Sequence, residues 1–80
     1  MIKEHDSVVL AEDLPLEKLK AGDIGTIVHI HGKHEGYEVE FMTLAGQTLA
    51  VVTLLPQQVR PISPRDLAHV RELAAACASR

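Results

Sequence analysis

Apolar and polar positions alternate along Tyr37-Glu38-Val39-Glu40-Phe41, the period of a strand with one buried and one wet face. Thr26-Ile27-Val28-His29-Ile30-His31 comes before it, β-branched at four positions and suited to a pleated surface. Gly32 and Gly36 bracket a polar turn between the two runs. A hairpin therefore organises the segment Ala21 to Phe41. It is entered through a bend at Gly22 and Gly25, whose missing Cβ admits backbone angles that other residues avoid. The register of its first strand has two solutions. Strict alternation sets Thr26, Val28 and Ile30 on one face and Ile27, His29 and His31 on the other. A bulge between Gly25 and Val28 instead turns both Ile27 and Ile30 inward.

Around this hairpin the pattern predicts three further strands. Ser7 to Ala11 is the first, ended by Glu12-Asp13-Leu14-Pro15. Leu16 to Lys20 predicts one helical turn, with Leu16 and Leu19 on the same side, inside a loop that folds back over the sheet. Met42 to Gln47 reads as a loop with Gly46 at a bulge position. Thr48 to Leu54 is a strand apolar on both faces, one for the core and one for a helix or a partner. After a turn at Leu55 to Gln58, Val59 to Ile62 forms a last short strand, with Pro61 at an edge. Ser63, Pro64 and Asp66 then carry helix-start chemistry: a capping hydroxyl, a first-turn proline and a capping-box acid. Leu67, Val70, Leu73, Ala74 and Cys77 fall on one helical stripe, with Arg65, His69, Arg71 and Glu72 opposite. The expected fold is mainly β: a small barrel of about five strands over residues 1–62, continued in the same domain by a C-terminal α-helix and frayed tail over 63–80.

Eighty residues make one domain, and a chain of this size buries only about 60% of its unfolded surface. Tyr37 and Phe41 are its only aromatic rings apart from histidine, so the core must be aliphatic. A net charge of −3 argues against a general nucleic-acid binder, which needs a basic face to displace phosphate counterions. Cys77 is the only cysteine, so no internal disulfide forms and a reducing, cytoplasmic setting is expected. The charged start of the chain has no signal-peptide core, and the apolar run Leu49 to Leu55 is too short to span a bilayer.

The segments Ala21-Gly22-Asp23-Ile24-Gly25-Thr26-Ile27-Val28, Tyr37-Glu38-Val39-Glu40-Phe41 and Val59-Arg60-Pro61 together resemble the SH3-like barrel. The glycine-bounded first segment is similar to the KOW element of ribosomal and transcription-elongation proteins. From Ile2 to about His69, including His5-Asp6 and the Thr48 to Pro61 run, the chain looks like a family of small bacterial proteins known as a domain of unknown function. That resemblance implies an SH3-like barrel and no enzymatic activity. It further implies a companion of a neighbouring gene product, of accessory, antitoxin or immunity type. The tail from Ala74 to Arg80 is outside the pattern.

Candidate chemistry is sparse. His29 and His31 share a strand face with His34 in the adjoining turn, and imidazole is a common metal ligand. Structural sites need four clear ligands, so these three residues are candidates only and no metal or cofactor is assigned. The serines lack a nucleophile-elbow context, and Cys77 on an apolar stripe reads as structural. Glu38 and Glu40 lie on one strand face, without the concave site that acid–base work requires. The expected function is non-catalytic binding of another protein. Glu38, Glu40, Glu12 and Asp13 would steer a basic partner, and Val70 and Leu73 would contribute from the helix, which also offers a surface for homo-oligomer formation. RNA or ribosome association through the KOW-like element is the alternative, disfavoured by lysines scattered among acids and by the absence of stacking platforms.

Overall fold

A computed structural model describes residues 2–73. Five strands build one antiparallel sheet in the order β4-β3-β2-β1-β5. They are β1 (Ser7–Leu10), β2 (Ile24–His31), β3 (Gly36–Met42), β4 (Thr48–Leu54) and β5 (Val59–Pro61). This is the mainly β chain that the alternation predicts, with β4 and β5 as the two sheet edges among the described residues. One cluster forms the core: Val8, Leu10, Leu19, Ile27, Tyr37, Val39, Phe41, Leu54 and Val59 are all buried. Ile2, Leu14, Ile30 and Val52 pack against it.

The hairpin resolves its own register through a bulge. Ile27 pairs with Val39 and Ile30 with Tyr37, and the register shifts between Ile27 and His29. Val28 is the extra residue, so both isoleucines turn inward while His29 and His31 face out. Gly22 has a φ of +98°, the left-handed bend expected of it. Gly25 has another role. It lies within β2 opposite Phe41, where a Cβ would come 2.5 Å from Val39 Cγ1 and 2.9 Å from Phe41 Cε2. Glycine stands there for space, not for its backbone angle.

The loop after β1 departs from the expected helical turn. A 3-10 turn spans Pro15–Glu17, and Lys18 follows at a φ of 61°. Leu14 and Leu19 then bridge to each other. This reversal drives Leu19 into the core and leaves Leu16 97% exposed, so the two leucines do not share a side.

The expected C-terminal α-helix is absent among the described residues: residues 66–73 adopt no regular structure. The start signal itself forms. Ser63 N–H donates to Asp66 Oδ2 (2.7 Å), Arg65 N–H donates to Ser63 Oγ (3.2 Å), and Asp66 N–H donates to Ser63 O (3.0 Å). No helix grows from it among the described residues, where Leu67 and Val70 of the stripe stay 91% and 70% exposed. A short isolated helix is marginal in water, and tertiary ion pairs win instead. Arg60 in β5 holds Asp66 through two hydrogen bonds of 2.9 and 2.7 Å. Arg71 reaches Asp23, just before β2. Ala74 and Cys77 of the stripe lie outside the described residues. No helix among the described residues is long and apolar enough to cross a membrane.

Candidate interaction face

The outer face of β2, β3 and β4 brings several of the expected residues together. Alternation along β3 sends Tyr37, Val39 and Phe41 into the core and leaves Glu38 and Glu40 on the other side. Antiparallel pairing sets His29 and Thr53 on either flank of Glu38, and Thr26 and Val51 on either flank of Glu40. Val51 is 52% exposed beside that carboxylate. Val28, pushed out by the bulge, and Met42, at the end of β3, add further exposed apolar surface.

Both carboxylates are held in place. His31 Nε2 donates to Glu38 Oε2 at 2.9 Å, and Thr53 Oγ1 donates to the same oxygen at 2.7 Å. These bonds, His31 first and Thr53 second, outweigh a smaller effect of burial and hold the Glu38 carboxyl below the usual glutamate value. Charge on His31 and His29 acts in the same direction. Thr48 Oγ1 donates to Glu40 Oε2. His29 packs edge-on to His31, ring centres 4.8 Å apart, and its Nδ1 lies 3.7 Å from Glu4 Oε2. A row of oriented polar groups thus runs from Glu4 across the sheet to Thr53.

The other expected residues are elsewhere. Glu12 accepts from Gln58 Nε2 (3.0 Å) and Asp13 accepts from Ala21 N–H (2.9 Å), so both stabilise the loops after β1. Val70 is exposed on the irregular tail and Leu73 is half-buried there. His34 turns away from the other two histidines: its Nε2 bonds the Ile2 carbonyl at 3.0 Å and its ring packs on Tyr37. Among the described residues no three metal-ligating side chains converge on one point. The threonines of β4 were missed in the sequence. Loop length alone does not find them: the register shifts between Phe41 and Met42, and that shift places Thr53 rather than Val52 opposite Glu38.

Two open grooves lie away from this face. One, of about 450 Å³, runs between the tail and the sheet, lined by Val9, Ile24, Ile62 and Leu67 with Arg60 and Asp66. Its charged groups are already paired with each other or with the tail.

The described residues form a small antiparallel β domain whose outer sheet face carries acidic side chains and exposed valines. Residues 4–61 match the family model described as "Domain of unknown function (DUF4926)", and the chain belongs to that family. No curated protein and no solved structure matches it.

Proposed function

We propose that the chain is a non-catalytic protein-binding module whose contact surface is the outer face of β2, β3 and β4. One observation carries this reading: Glu38 and Glu40 are partly exposed and oriented by hydroxyls from β4, with exposed Val51 beside Glu40. Carboxylates already fixed in one geometry lose less side-chain freedom on binding. Their charge speeds and orients the approach of a basic partner, and the valine gives the contact an apolar centre. The partner in this reading is the product of a neighbouring gene in the cytoplasm. The chain serves as its accessory, antitoxin or immunity-type companion and covers its basic surface. The KOW-like element from Ala21 to Val28 supports RNA association less well, because its one charged side chain, Asp23, is acidic and already bound by Arg71.

The test is capture from the host's own extract with the wild-type chain and with a Glu38→Lys, Glu40→Lys variant. A stoichiometric protein should be retained by the wild type, lost with the variant and kept by a Glu17→Lys control. Recovery of RNA with no stoichiometric protein would reverse the reading.

A further inference from the structure

We propose that the outer edge of β4 pairs, antiparallel, with the same edge of a second copy of this chain, centred on Val52. The two sheet edges are built differently. β5 is three residues long, holds Arg60 and Pro61, and runs into the Ser63–Asp66 turn. A short strand, a charge and a proline are the devices that keep a sheet edge from pairing. β4 has none of them. It runs for seven residues, Thr48-Leu49-Ala50-Val51-Val52-Thr53-Leu54, with no charge and no proline. No strand among the described residues pairs with its outer side. Its outer row of backbone donors and acceptors is therefore unpaired by any described strand.

The sequence of this strand suits its own copy. Pairing with β3 is regular from Leu54 to Ala50, and the register shifts only beyond that point. Val52 is the centre of the regular run. A two-fold axis there keeps inner residues with inner and outer with outer, as the pleat requires. On the inner side Ala50 meets the copy's Leu54, small against large, and Val52 meets itself. On the outer side Val51 meets the copy's Thr53, a pair of β-branched residues that packs well across strands. No like charges face each other. The nearest acids, Glu38 and Glu40 on β3, would lie three strand spacings from their counterparts, about 14 Å, beyond a Debye length of about 10 Å. The exposed flank of Val51 would be covered. This pairing uses the strand's edge rather than the sheet's outer face, so it stands or falls separately from the binding of a basic partner.

Two measurements on the full chain test it. Sedimentation of the wild type from micromolar to millimolar concentration should show a mass rising from one copy to two. In a Cys77→Ser background, Val51→Cys and Thr53→Cys chains mixed under a glutathione redox buffer should form the mixed disulfide dimer in excess over either homodimer, because directly opposed strand residues fall within disulfide reach. Thr26→Cys, also exposed but on central β2, should form no such excess with either. A wild-type mass of one copy throughout would overturn the proposal. Cross-linking of all three variants without preference would overturn it as well.

Discussion

Arg71 grips Asp23 with two hydrogen bonds, Nε to Oδ1 at 2.8 Å and Nη2 to Oδ2 at 2.6 Å. The same arginine donates to the Lys18 carbonyl at 3.3 Å. Asp23 belongs to the family-matched stretch and Arg71 lies beyond it, so this pair fastens the irregular tail to the entry of the organising hairpin. Asp23 has a second task, accepting from Lys20 N–H at 2.8 Å to shape the bend before β2.

These two tasks separate in a double-mutant cycle. Arg71→Ala should cost less than 1 kcal/mol, about what a partly exposed ion pair contributes. Asp23→Ala should cost about 1–2 kcal/mol, because the Lys20 N–H also loses its acceptor. The coupling between them, read from urea midpoints, should be about 0.5–1 kcal/mol. A coupling of zero would mean that the tail is not fastened there in solution.

Acid should weaken the fold through three carboxylates. At Asp23, burial pushes the carboxyl up, but the Arg71 hydrogen bond, the Lys20 N–H and the charges of both residues outweigh it, leaving the net value low. The Arg60 hydrogen bond, followed by the Ser63 N–H, holds Asp66 far below the ordinary range. Glu38 is lowered by His31 and Thr53. Each folded value lies below its unfolded one, so the unfolded chain takes up protons first as pH falls. The stabilisation is whole above the unfolded carboxylate range, about pH 4, and is lost as pH drops through the folded values. Urea midpoints measured on acidification should fall in that window, and Asp23→Asn should flatten part of the slope. A midpoint indifferent to pH there would contradict the ion pairs.

Gly25→Ala should be among the costliest single-methyl additions in the chain. The new Cβ meets Val39 and Phe41, both buried in the core, and one of them must shift to admit it. Overpacking of this kind costs about 1–3 kcal/mol. Gly46→Ala, with nothing within 4 Å of the added carbon, bears only the strain of a φ of +92°. Thermal melts should rank Gly25→Ala as the more damaging.

A chain cut after Ile62 should still fold. Every residue of the core cluster lies between Val8 and Val59, and those packed against it begin at Ile2 and end within the same span. Among the described residues the cut removes the Arg60–Asp66 and Arg71–Asp23 pairs, the Arg71 bond to the Lys18 carbonyl and half-buried Leu73. Far-UV circular dichroism should retain its β signature with a modestly lower melting temperature. Complete unfolding would show that the tail belongs to the core.

Much of this architecture is legible from alternation alone. Tyr37, Val39 and Phe41 had to face inward together, because a strand's side chains alternate and their neighbours are glutamates. The polar turn between Gly32 and Gly36, the loop at Gly46 and the edge position of Pro61 follow from what those residues permit at the backbone. The outward pairing of Glu38 and Glu40 came with them. These are local rules, complete within a few residues of chain.

What the chain could not declare locally was decided by contacts between distant segments. Ser63, Pro64 and Asp66 spell a helix start, yet Arg60 takes the acid, Arg71 takes Asp23, and Leu67 and Val70 of the apolar stripe stay exposed. The bulge at Val28 arises because Ile27 and Ile30 both fit opposite β3. Gly25 is required by the approach of Val39 and Phe41. The fastening of Glu38 by His31 and Thr53 needed the register of three strands at once. Periodicity determines which face of an element is apolar; only packing in three dimensions determines whether anything is there to meet it.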